Sequence, residues 1–147
     1  MFLLHLIIAN IAVIIAIRFK GAFHKLIAFG IAVCVALPFL SNRTTTTIAF
    51  VSLALFALLT ALYGWKERGL SKIESVAIVL TGVVMALSIF MKHQHLPYAS
   101  VTRILMIIPL ASLIIVLIQN KKVTKEVSVL LYWAFYALSQ VWNMLAS

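Results

Sequence analysis

Four polar side chains recur at four-residue spacing towards the end of the chain: Ser128, Tyr132, Tyr136 and Gln140, with Asn143 three residues further on. On a helix these positions share one face. Unpaired amides are costly in hydrocarbon, so Gln140 and Asn143 must face protein, water or the membrane interface. Two readings stay open. The row lines a ligand site or pore, or it supplies hydrogen bonds to other helices, with Asn143 close to the interface. Asn10, a lone amide in the middle of the first apolar stretch, is expected to donate across to a neighbouring helix, with ligand lining as the alternative.

The histidines suggest weaker chemistry. His5, His93 and His95, with Met1 and Met91, form a soft nitrogen and sulfur set of the kind that binds a transition metal. No carboxylate or cysteine stands near them in sequence, and Lys92 adds a repelling charge, so neither a metal nor another cofactor is expected. Paired histidines facing each other at one depth, as a haem requires, are not in evidence. Arg43, Lys92 and Arg103, together with Thr44 to Thr47, offer contacts to lipid phosphates or another anion.

Absences exclude more. The chain has three acidic residues, Glu67, Glu74 and Glu126, and none lies within an apolar stretch. Intramembrane carboxylates, the usual proton and cation sites of coupled carriers, are therefore missing. General acid–base catalysis lacks partners. Ser52, Ser88, Ser112 and Ser139 have no nucleophile-like glycine context. Cys34 is the single cysteine and sits among Val33, Val35 and Ala36, where a thiol acts as a small hydrophobe. Catalysis is disfavoured.

The elements that must position these groups follow from composition. Of 147 residues, 65% are hydrophobic and 10% charged, against about a quarter charged in ordinary soluble domains. Cutting the chain at Lys, Arg, Asp and Glu leaves six charge-free stretches: 1–17, 26–42, 44–65, 75–91, 104–120 and 127–147. Each reaches about 17 residues, the lower limit for crossing hydrocarbon as a helix. None alternates apolar with polar residues as a barrel strand must. The expectation is one transmembrane domain, 1–147, an all-α bundle of six short helices in three hairpins. Their approximate spans are 1–19, 24–41, 44–65, 72–92, 98–120 and 125–146. The first two stretches are near the minimum length, and if either lay in the interface the helix count and the side of one terminus would change. Met1 to Leu6 lacks the basic start of a signal peptide.

Charge gives the bundle a direction. The net charge is +9. Nine of the twelve basic residues fall in the first, third and fifth loops, and three, Arg43, Lys92 and Arg103, fall in the second and fourth. By the positive-inside rule both termini lie outside, and the basic loops meet anionic headgroups at the inner face. No basic face with interleaved aromatics stands outside the apolar stretches, so nucleic acid is not an expected partner.

Local signals mark boundaries and contacts. Ser71-Lys-Ile-Glu74 fits a capping box, and Thr124 with Glu126 offers a weaker cap. Pro97 suits a helix start, while Pro109 is expected to kink the fifth helix by freeing the carbonyl of Leu105. Phe19, Phe23, Tyr63, Trp65, Tyr98 and Trp142 stand at stretch ends as interfacial anchors. Small residues repeat at four-residue spacing at Ala28/Ala32/Ala36, Ala12/Ala16, Ala57/Ala61 and Gly82/Ala86. Such rows pack helices within the chain or between copies.

Together these features lead to a non-catalytic membrane subunit or scaffold acting by helix–helix contact with itself or with other subunits. A multi-pass bacterial inner-membrane location is expected. The alternatives are a small carrier or channel for a neutral or anionic solute or lipid, and, with least support, a membrane enzyme on a lipidic substrate.

Overall fold

A computed structural model describes residues 2–40, 43–67, 69–93 and 104–145, and is all-helical there. In chain order the elements are α1 (Phe2–Ile17), α2 (Phe23–Ala36), a 3-10 turn (Leu37–Leu40), α3 (Arg43–Lys66), α4 (Lys72–His93), α5 (Ile107–Asn120) and α6 (Lys125–Leu145). Each helix packs on the next, and α6 closes the ring against α1. α6 also touches α2 and α4, which makes it the central helix.

Two helices are long and apolar enough to cross a membrane, Thr44–Lys66 and Lys72–Lys92. Three more are apolar but shorter: Leu3–Ile17, Phe23–Ala36 and Ile107–Asn120. At 1.5 Å per residue α5 runs only about 21 Å. The expected fifth helix, 98–120, is thus described only in its second half. Ile104 and Leu105 are helical, Met106 is a turn, and the helix resumes as α5 at Ile107, so the helical run is interrupted within one turn before Pro109. α6 is long, but it carries Lys125, Glu126 and the polar row. Its central position explains this, because a helix enclosed by other helices has no need of an all-apolar surface.

Large apolar side chains stand on both sides of the bundle wall, and Ile27, Ile31, Ile78, Met85, Ile89, Leu130 and Trp133 form its core. Large aliphatic side chains point outward, as Ile7, Ile11 and Ile14 do on α1, Val51, Leu55 and Leu58 on α3, and Val76, Val83 and Leu87 on α4. Small and hydroxyl residues point inward: Ala9, Ala12, Ala16, Ala57, Thr60, Thr81, Ser88 and Ser112 are all buried. The rows Ala57/Ala61 and Gly82/Ala86 meet each other across α3 and α4. A Cβ built on Gly82 would stand 2.5 Å from the Ala57 carbonyl oxygen and 2.4 Å from the Ala61 nitrogen, so only glycine permits this approach. Gly30 receives the ring of Phe56 in the same way, joining α2 to α3.

Polar side chains tie the interior together. Trp133, fully buried on α6, donates from Nε1 to Thr60 Oγ1 on α3 at 2.9 Å, and Thr60 donates on to the Phe56 carbonyl. The Ser112 hydroxyl crosses from α5 to the Ala77 carbonyl of α4 at 3.0 Å.

One end of the bundle gathers the loops at 18–22, 67–71 and 121–124, with Arg18, Lys20, Lys66, Lys72, Lys121 and Lys122 exposed around it. The three carboxylates are all spent there. Glu67 pairs with Lys125 at 2.5 Å, linking two loops. Glu74 and Ser71 form the expected capping box, Ser71 N to Glu74 Oε2 at 2.9 Å and Glu74 N to Ser71 Oγ at 3.2 Å. Asn120 also donates to Glu74. Glu126 is buried and accepts from Tyr63 Oη at 3.2 Å. The second expected cap does not form. Thr124 Oγ1 is enclosed without a partner, and its carbonyl, not its hydroxyl, accepts from Val127 N. Tyr63 is likewise no interfacial anchor, because its hydroxyl is needed inside by Glu126 and its ring packs on Phe23. Trp65 and Trp142 are exposed at opposite ends of the bundle, as anchors would be. His24 is buried at the start of α2 with Nε2 3.1 Å from the Ala16 carbonyl.

Candidate functional site

At the end opposite the basic loops, the helices splay around a cleft of about 200 Å³. α6 supplies Tyr132, Tyr136 and Gln140 from successive turns of one face. α1 supplies His5, α2 supplies Cys34 and Val35, and Pro38 follows from the 3-10 turn. Ala49, Phe50 and Leu53 form the α3 wall, and Lys92 closes the rim from the end of α4. The small side chains of Cys34 and Ala49 leave the space that larger residues would fill.

The polar groups are graded by depth. At the rim, Lys92 Nζ donates to Gln140 Oε1 at 3.1 Å. Deeper, Tyr136 and Tyr132 are 7% and 2% exposed, and neither hydroxyl meets a hydrogen-bond partner among the described residues. Neither oxygen is sealed in: the enclosed side-chain atoms without a partner among the described residues are His5 Nδ1 and Thr124 Oγ1, and both phenols face the open cleft. The His5 ring stands edge-on to Phe135 and Tyr136, with centroids 5.0 and 5.9 Å away, and its Nδ1 is enclosed without a partner. Glu67, Glu74 and Glu126 are all at the other end, and Lys92 stands at the rim of this one.

The structure brings together three of the five residues expected to line a site, Tyr132, Tyr136 and Gln140. Ser128, on the same face of α6, is spent at the opposite end, donating to the Lys125 carbonyl at 2.5 Å. Asn143 is exposed and outside the cleft. Asn10 does not reach another helix. It is exposed and donates to the Leu6 carbonyl of its own helix at 2.8 Å, because its face of α1 turns away from α6. Of the anion-contact residues Lys92 joins the cleft, while the Arg43 side chain and Arg103 lie outside the described residues. Of the metal candidates His5 packs among aromatic rings, and the His93 side chain and His95 also lie outside the described residues. Among the described residues no three His, Cys, Asp or Glu side chains converge.

Cys34, Ala49 and Phe50 were not legible as site residues. Each reads as ordinary apolar filling, and only the convergence of three helices gives them a common space. Comparison with family models, curated proteins and solved structures finds no match to this chain. The site therefore rests on its own geometry.

Proposed function

We propose that this chain is a six-helix integral membrane protein with both termini on the outer side, working without catalysis by holding a small solute or lipid in the cleft at its outer end. The observation that carries the membrane reading is the apolar exterior: long rows of exposed Ile, Leu, Val and Phe surround an interior that holds hydroxyls and two carboxylates as well as apolar side chains. Contiguous apolar surface on this scale is compatible with lipid and not with water. The gathering of the basic loops at one end supports the orientation, with that end at the anionic inner leaflet. The short helices α1, α2 and α5 match the bilayer with the help of snorkelling by Arg18, Lys25 and Lys121.

The choice of binding over scaffolding rests on where the small residues are used. Ala9, Ala12, Ala16, Ala57 and Gly82 pack inside the chain, so few small-residue faces remain for other subunits. The polar row of α6, by contrast, faces a space. A bacterial inner membrane is the setting that fits the charge pattern.

Two experiments test this reading. Single cysteines at Lys121 and at Asn143, in a Cys34→Ala background, are expected to react with an impermeant thiol reagent from the inner and the outer side respectively. The same sidedness for both would defeat the topology. Native mass spectrometry of protein extracted from its own membrane is expected to show a bound small molecule that disappears when Ala49→Phe fills the cleft. Identical bare masses for both proteins would defeat the binding reading.

A further inference from the structure

The geometry points to a single-chain anionic amphiphile as the ligand, its carboxylate held between Lys92 and the tyrosine hydroxyls and its tail lying in the groove between α3 and α4. This deepens the reading of the cleft as a ligand site and depends on it.

Three observations carry it. The first is charge. Lys92 stands at the rim against Gln140, and all three acids of the chain are at the far end, so a negative head is the favoured one. The second is the pair of phenols. Tyr132 and Tyr136 are more than nine-tenths buried, line the cleft and have no partner among the described residues. Both can donate to a carboxylate, which accepts at about four lone-pair sites. The third is shape. About 200 Å³ is too small for a whole lipid but suits a head and the first few carbons. Phe50, which forms one wall of the cleft, also lines a second groove of about 280 Å³ between α3 and α4. That groove is walled by Val51, Leu55, Leu58, Ile89 and Phe90, and all of these are apolar. Phe50 is thus a wall common to both spaces, with polar groups on one side of it and only apolar ones on the other. Head chemistry at one end and hydrocarbon at the other is the outline of an amphiphile. A free anion would make no use of the groove, and a neutral alcohol would make no use of the Lys92 charge.

The test uses the full chain in nanodiscs of zwitterionic phosphatidylcholine and radiolabelled palmitate as the probe. Palmitate is expected to bind saturably, octanoate more weakly, and hexadecanol at least about tenfold more weakly, the factor one charge-assisted hydrogen bond supplies. Lys92→Gln and Tyr136→Phe, each confirmed as folded by its helical circular dichroism, are each expected to weaken palmitate by about tenfold or less. Should hexadecanol bind as tightly as palmitate, the anionic head is wrong while the cleft survives. Should acetate displace palmitate at equal concentration, the tail is wrong and the ligand is a free carboxylate. Native mass spectra that show a bound molecule, together with no palmitate binding, overturn this inference alone. Bare spectra and no palmitate binding overturn both readings.

Discussion

Gly82→Ala is the substitution on which the packing argument can be tried most directly. The added methyl would sit 2.4 to 2.8 Å from three backbone atoms of α3, at Ala57 and Ala61, where about 3.4 Å or more is needed. Backbone cannot rotate aside as a side chain does, so α4 must retreat by about 1 Å at this crossing. A gap of that size forfeits roughly a quarter to a half of each close contact, and each contact contributes about 0.1–0.2 kcal/mol. Over about 40 atom pairs in the α3–α4 interface the loss is about 1–4 kcal/mol, against about 1–3 kcal/mol usual for overpacking. Alanine regains up to about 1 kcal/mol as a better helix former. The net expectation is a destabilisation of about 1–3 kcal/mol, read from reversible unfolding in mixed micelles titrated with dodecyl sulfate. Gly69→Ala is the control, because its nearest neighbour is a Glu67 side-chain oxygen at 3.9 Å, and it is expected to be near neutral. A Gly82→Ala protein as stable as the parent would refute the close approach of α3 and α4.

Three further outcomes are expected. Trp133→Phe is expected to cost about 0.5–1.5 kcal/mol in the same assay, and the hydrogen-bond part of that cost should vanish in a Thr60→Val background; equal costs in both backgrounds would show that no bond links α6 to α3. Ser71→Ala is expected to cost about 1 kcal/mol and to speed amide hydrogen exchange over the first turn of α4 more than elsewhere, since the hydroxyl caps Glu74 N. Lys125→Met removes an ion pair whose two side chains are 30% and 29% exposed, so its effect should stay within about 1 kcal/mol and shrink as salt is added; a larger, salt-insensitive loss would contradict a solvated pair.

How far the sequence carries can be seen at particular residues. The capping box at Ser71 and Glu74 was legible because both halves of the bond lie within four residues. The helix limits at Lys66, Lys72 and Asn120 were legible because charge interrupts the apolar stretches there. Pro109 was legible as a disturbance of the fifth helix, because a proline lacks the amide that would bond the carbonyl four residues back, and the helical run is interrupted at Met106. Asn10 was misjudged because helical spacing gives a residue's face but not which neighbour that face meets. Tyr63 looked like an anchor by position, yet Glu126, 63 residues later, draws its hydroxyl inward.

By itself the sequence determined the helical class, the approximate helix limits, the asymmetry of charge and the sharing of one face by Tyr132, Tyr136 and Gln140. These depend on the character of residues within one or two turns of each other. Only the tertiary structure decided that α6 is central, that Gly82 meets Ala57 and Ala61, and that His5, Cys34, Phe50 and Lys92 join the tyrosines around one space. Those are contacts between residues far apart in the chain, made by helices whose relative rotation no local pattern encodes.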